Sequence, residues 1–326
     1  MTPTSRTLAA VASVALLVGC GMESDRSITA NLVENVTSHF SPWSEPVNLG
    51  PVVNSSAGEQ NAALSRDGLS LYFSSTRAGG AGQLDIWVSQ RDCTNAADPA
   101  CAWRTPLNLG PVINGSGADF APNLSNDGHL LFFSSVRPDG FGGPDIYVSH
   151  RADPHDDFGW EPAVHLGPDV NTATADNAPM YLQSAEDGVM NLYFNRGLNA
   201  LQEADIYVAA VKRDGETLGP AQPVSELNVP NANDAAVTMR ADGRELMFWS
   251  TRAGGLGRAD LWVSTRQTVH DPWSPPVNLG APLNTASDDV TPALSFDGRT
   301  LIFGSNRPGG QGGNDLWMST RTPGGP

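Results

Sequence analysis

Lysine is almost missing from this 326-residue chain. Lys212 is the only one, so arginine supplies nearly all of the 19 basic residues, against 35 acidic ones. A formal charge of −16 argues against nucleic acid and anionic lipid surfaces as partners. Arginine suits bidentate carboxylate pairing better than lysine does. Cysteine is scarce as well, with three residues and no CxxC or Cys/His cluster, which excludes a zinc site of the usual spacing. No GxSxG elbow, HExxH helix, phosphate loop or dinucleotide fingerprint occurs. The six histidines, at 39, 129, 150, 155, 165 and 270, share no position in the chain's internal repeat. The one long apolar run, residues 8–18, is too short to span a bilayer. Beyond it no window holds a helical period.

What the chain has is a unit stated five times. Asp-Gly pairs begin at Asp67, Asp127, Asp187, Asp242 and Asp297, at spacings of 60, 60, 55 and 55 residues. A period this long marks a repeat architecture, each repeat being one supersecondary unit. Within a unit four short runs read as strands, for example residues 121–125, 130–134, 145–149 and 160–166. They are rich in β-branched and aromatic residues and bounded by Gly, Pro, Asn and Asp. Asp-Gly between the first two runs predicts a two-residue type I′ hairpin. The Gly-rich stretch at 307–313 predicts a longer one.

Five four-stranded antiparallel meanders bury their faces by packing radially. The expected fold is therefore an all-β, five-bladed β-propeller. An open solenoid is the alternative, disfavoured because no unit looks like a capping repeat. Small residues (Ala62, Ala63, Ala121, Pro122, Ala178, Pro179, Ala235, Ala236) suit strands converging on a narrow axis. The first unit opens with a spare fourth strand, residues 43–49, and the last stops after its third, residues 314–320. These two runs are predicted to pair in one blade and remove two exposed sheet edges.

The units resemble the TolB-type, WD-repeat-like propeller repeats. The resemblance rests on Leu-Ser-x-Asp-Gly at 64–68, 124–128 and 294–298, Phe-Ser-Ser-Thr-Arg at 73–77, Asp-Ile-Trp at 85–87, and Asp-Leu-Trp at 260–262 and 315–317. It implies a binding platform of the bacterial envelope, and it is more specific for fold than for activity.

Residues 1–20 read as a lipoprotein signal peptide. Leu17-Val18-Gly19-Cys20 looks like a lipobox with Cys20 as the lipidated residue; the alternative is an ordinary secretory signal with an incidental cysteine. Gly21 gives no inner-membrane retention signal, so the expected location is the outer membrane, facing the periplasm or cell surface. Residues 21–42 form a polar tether and residues 43–326 a single, monomeric propeller domain. In an exported protein Cys93 and Cys101, close together in one connection, are expected to form a disulfide. The membrane is expected to be met through the lipid alone.

Three charged positions recur. An acid precedes each inner strand (Glu59, Asp119, Asp176, Asp234, Asp289). An arginine follows each second strand (Arg77, Arg137, Arg196, Arg252, Arg307). Another acid opens each third strand (Asp85, Asp145, Asp205, Asp260, Asp315). In an antiparallel meander all three lie at one end of the blade. The arginines are expected to bridge acids structurally. The first acids are expected to point into the channel mouth and bind Ca²⁺ weakly, or a basic partner group; no other cofactor is indicated. The aromatics Trp87, Tyr147, Tyr207, Trp262 and Trp317 are expected to pack between blades. His155-Asp156-Asp157 reads as an exposed acidic turn rather than a Ca²⁺ loop. Blades three and four depart from the pattern, at residues 181–187, at 197–203 and at Arg240.

Two functions remain. The leading one is a non-enzymatic, lipid-anchored envelope scaffold recognising a protein or an envelope glycan. The alternative is a glycan-active propeller enzyme, a glycosidase or lyase, which needs two carboxylates roughly 5–9 Å apart with divided roles.

Overall fold

A computed structural model describes residues 40–95, 98–197 and 203–324. It is a five-bladed propeller with four antiparallel strands in each blade. Blade one comprises Glu59–Leu64, Ser70–Ser75, Asp85–Gln90 and Leu107–Asn108. Blade two comprises Asp119–Leu124, Leu130–Ser135, Asp145–His150 and Val164–His165. Blade three comprises Asp176–Gln183, Met190–Arg196, Asp205–Ala210 and Gln222–Pro223. Blade four comprises Asp234–Met239, Glu245–Ser250, Asp260–Thr265 and Val277–Asn278. Blade five takes Asp289–Leu294, Thr300–Ser305 and Asp315–Thr320 from the end of the chain and Val47–Asn48 from its start. In this closure Val47 lies opposite Met318 and Asn48 opposite Trp317. Each inner strand contacts the inner strands of both neighbouring blades, and the ring closes from five to one.

Five apolar clusters fill the five interfaces between blades. One, for instance, joins Tyr72, Ile86 and Val88 of blade one to Leu131, Phe133 and Tyr147 of blade two. Second strands are covered on both sides, which is why Phe73, Phe133, Phe194, Phe248 and Phe303 are all fully buried. Burying a Phe side chain contributes about 1.5–3 kcal/mol.

Asparagines, all buried except the half-buried Asn228, tie each connecting segment to the third strand. Asn114 Oδ1 accepts from the Ile86 N–H, while its Nδ2 donates to Ile86 O and Asn108 Oδ1. Asn54, Asn171, Asn228 and Asn284 grip Leu316, Ile146, Ile206 and Leu261 in the same way. The Gly-rich loops reach the next blade closely enough that a Cβ at Gly82, Gly257 or Gly312 would strike a backbone carbonyl there.

The hairpin differs from the type I′ expectation. Only the glycine has a positive φ, +72° at Gly68. The Gly68 N–H bonds Ser65 O, and Asp67 Oδ1 accepts from the Ser65 hydroxyl and the Leu69 N–H. The aspartate thus serves as a local acceptor that closes a four-residue loop. Outer strands are also shorter than expected, with two residues each.

Candidate functional site

The inner strands carry the feature that shapes the axis. Each has a bulge at its third and fourth residues, where two residues oppose one. The first bulge residue is left-handed in every blade, with φ of 48–52° at Asn61, Ala121, Ala178, Ala236 and Thr291. None is glycine, so this geometry is held by the surroundings. Ala121 N–H donates to Ser74 Oγ, Ala178 N–H to Ser134 Oγ, Ala236 N–H to Asn195 Oδ1 and Asn61 N–H to Thr291 Oγ1. Each bond crosses to a neighbouring blade. Ala121, Ala178 and Ala236 meet in one cluster with Phe120 and Trp249, which narrows the axis.

Beyond this constriction the axis opens into a pocket of about 880 Å³, counting the space at its mouth. It faces the hairpin end of the blades, and its walls are mostly Ala, Pro, Leu and Met, set with amides and hydroxyls from Asn61, Asn123, Asn126, Tyr181, Thr238 and Thr291. Asn123 Oδ1 accepts from the Tyr181 N–H, leaving an amide NH₂ to donate. Thr238 and Thr291 hydroxyls accept from backbone N–H groups and keep their own protons to donate. Asn126 donates to Gln183 O and keeps its carbonyl. Burial, and then the Asp127 charge, pushes Tyr181 up to about 12, so its phenol stays neutral at ordinary pH. Arg66 and Phe296 stand in the lining, the guanidinium 4.3 Å from the ring centroid. Among the described lining residues Arg66 is the only charged one.

The recurring acids lie elsewhere and are closed off from solvent, which corrects the expectation that they point into a channel mouth. Glu59, Asp119, Asp176, Asp234 and Asp289 are all fully buried, and none lines the pocket. Their oxygens are occupied by protein donors. Glu59 takes Ser55 N and Oγ, Ser75 Oγ and Arg77 Nη2. Asp119 takes Gly115 N, Ser135 Oγ and Arg137; Asp176 takes Thr172 N and Oγ1 and Arg196; Asp234 takes Val229 N and Arg252. Asp289 takes Thr285 N and Oγ1, Ser305 Oγ and Arg307 Nη2. Desolvation raises the Asp176 pKa despite its bonds to Thr172 and Arg196.

Arg77, Arg137, Arg196, Arg252 and Arg307 also donate to the carbonyls of Val53, Ile113, Val170, Leu227 and Leu283. Their guanidinium carbons lie 4.4–5.4 Å from the ring centroids of Trp87, Tyr147, Tyr207, Trp262 and Trp317. The third-strand acids do not compete for them. Asp85, Asp260 and Asp315 accept from their own Gly-rich loops and from Asn108, Asn278 and Asn48.

Asp157 is no exposed turn residue. It is buried and accepts from Tyr72 Oη at 2.5 Å, Ser70, Gln90 and Arg151, bolting blade two to blade one. Burial, then the Asp157 charge, holds the Tyr72 pKa well above its ordinary value. Arg240, the departure in blade four, pairs with Asp242 and Glu245, and Glu245 also receives Arg321. Cys93 and Cys101 are joined by a disulfide. With Asp98 they form the only cluster of potential metal ligands among the described residues, and both sulfurs are used in that bond. Cys20 and most of the blade-three loop at 197–203 lie outside the described residues.

Ala62, Ala63, Ala121, Pro122, Ala178, Pro179 and Ala236 line the axis as their small side chains suggest, whereas the polar and hairpin residues of the pocket carry no recurring signal. The residue between Ser and Asp-Gly in each hairpin is the one that changes, as Arg66, Asn126 and Phe296, with Ala241 in blade four; all four line the pocket.

No family model and no curated protein matches the chain. Solved structures do. A thermostable family-43 glycoside hydrolase aligns with a TM-score of 0.56 at 13% identity, over 85% of this chain and 92% of that one. An alpha-L-arabinofuranosidase from Lactobacillus brevis gives 0.55 at 12%, covering 83% and 92%. An endo-arabinase from Bacteroides thetaiotaomicron gives 0.54 at 14%, covering 86% and 97%. At such identities the likeness is one of fold. It corrects the TolB-type assignment, since the neighbours are glycosidase propellers. The same neighbours stand against the non-enzymatic scaffold reading and favour its glycan-active alternative.

Proposed function

We propose that the chain is a glycan-active propeller that seats a saccharide unit in the axial pocket. The pocket chemistry carries this reading. Convergent amide and hydroxyl donors and acceptors beside Tyr181 and Phe296 match a ligand that is polyhydroxylated on its edges and apolar on its faces. The glycosidase neighbours support it at the level of fold. Two-carboxylate hydrolysis requires an acid pair about 5–9 Å apart. No carboxylate lines the pocket among the described residues, so saccharide binding is placed here and no catalytic residue is assigned.

The test is titration calorimetry against a panel of neutral and acidic oligosaccharides, with release of reducing ends followed in parallel. Ala241→Trp fills the pocket from a hairpin position. It should abolish binding, and any sugar release, while leaving thermal unfolding unchanged. Absence of binding across the panel, or binding and release unaffected by Ala241→Trp, would overturn the proposal.

A further inference from the structure

Arg66 differs from the other arginines of this protein: Arg91 and Arg266 also stack on a ring without an ion pair, but each donates Nε to a backbone carbonyl, of Gly68 and Gly243. The arginines that hold the blades together, such as Arg77, Arg151, Arg252 and Arg307, each face a buried carboxylate. Among the described residues no carboxylate lies within ion-pair distance of Arg66, although the protein carries a net charge of −16. Its guanidinium is also positioned. Phe296 of blade five covers one face of it from across the blade boundary, at 4.3 Å. Stacking uses the face of a guanidinium; its N–H donors point outward in the plane. Arg66 is solvent-exposed, so a ligand entering the pocket meets a cation with one face against Phe296 and its donor edge open. The neutral walls contain no anion to compete.

We propose that the saccharide held in the axial pocket carries a carboxylate, as a uronic acid does, and that Arg66 binds that carboxylate through its paired N–H groups. This rests on the pocket being a saccharide site and adds the charge class of the sugar. A planar carboxylate matches the guanidinium fork in a way that a neutral hydroxymethyl group does not. Asn61, Asn123 and Thr238, deeper in the lining, then face the ring hydroxyls.

The experiment compares an oligouronate with its carboxyl-reduced, neutral counterpart by calorimetry, using wild type, Arg66→Gln and Arg66→Lys. Wild type should favour the uronate by about 10-fold or more, consistent with a charge-assisted bidentate contact. Arg66→Gln should erase the preference, bringing the affinities for the two sugars together. Arg66→Lys should keep part of it, because charge remains and the fork is lost. Raising salt should shrink the preference in wild type only. Equal binding of the two sugars by wild type, or a preference that survives Arg66→Gln, would overturn the uronate proposal and leave the saccharide pocket standing. Binding of neither sugar would overturn both. A sulfated sugar bound in an Arg66-dependent way, with the uronate rejected, would also refute it.

Discussion

Asp289→Asn tests whether the recurring acids hold the fold or serve a channel. The carboxylate is fully buried, and its Oδ2 accepts from Thr285 N and Oγ1 at 2.7 and 2.9 Å. Its Oδ1 accepts from Ser305 Oγ and Arg307 Nη2 at 2.6 and 2.5 Å. Asparagine has the same shape but one acceptor fewer. If its NH₂ replaces Oδ2, it faces the Thr285 N–H; if it replaces Oδ1, it faces Arg307. In either orientation two donors oppose one another and the Arg307 charge loses its partner. A lost neutral hydrogen bond costs about 1 kcal/mol and a charge-assisted one about 1.5–3. The sum, about 2.5–4 kcal/mol, overlaps the usual cost of about 3–5 kcal/mol for breaking a buried ion pair from one side. At roughly 2–4 °C per kcal/mol for a domain of this size, the melting temperature should fall by about 5–16 °C. Scanning calorimetry and urea unfolding measure it, with and without Ca²⁺. A loss below about 1 kcal/mol, or a variant whose only defect is a lost Ca²⁺ response, would refute the clamp.

Asn114→Ala should lower stability by about 3 kcal/mol in urea unfolding, since it removes three hydrogen bonds and orphans the buried N–H of Ile86, whose C=O keeps only the Leu109 N–H. Acid should weaken blade four in a defined window. Burial alone raises Asp242, but the hydrogen bond and charge of Arg240 outweigh it and hold its pKa below the ordinary 3.8. Its contribution is therefore present above that unfolded value and is lost as pH falls through the lower folded one. Asp242→Asn should flatten the stability profile below about pH 4 in thermal unfolding measured against pH.

The fold was legible because its signals are periodic. Spacings of 60 and 55 residues, Asp-Gly at each hairpin, and a strand spare at the first unit but missing from the last favoured a closed ring. The candidate site was less so. Recurrence was read as function at Glu59 and its equivalents, where it marks architecture. Ser55, Thr172 and Thr285 stand four residues before Glu59, Asp176 and Asp289. That hydroxyl was a visible sign that the carboxylate is spoken for locally. Asp157 could not be placed from sequence, because its partner Tyr72 is 85 residues away in another blade. Arg66 gave a signal only by contrast, as the one cation at a hairpin position filled by Asn126, Ala241 and Phe296 in other blades.

Clamp and pocket occupy opposite ends of the same short strand. Glu59 sits at one end of Glu59–Leu64 and Arg66 just past the other, roughly 20 Å apart at the rise of a β-strand. Substitutions that far apart and without shared partners act independently. The hairpin residue of each blade is thus free to change without loosening the ring. Arg66, Asn126, Ala241 and Phe296 amount to a palette: the character of the pocket can be retuned by exchanging these four side chains one blade at a time, with no compensating change at any arginine–acid pair.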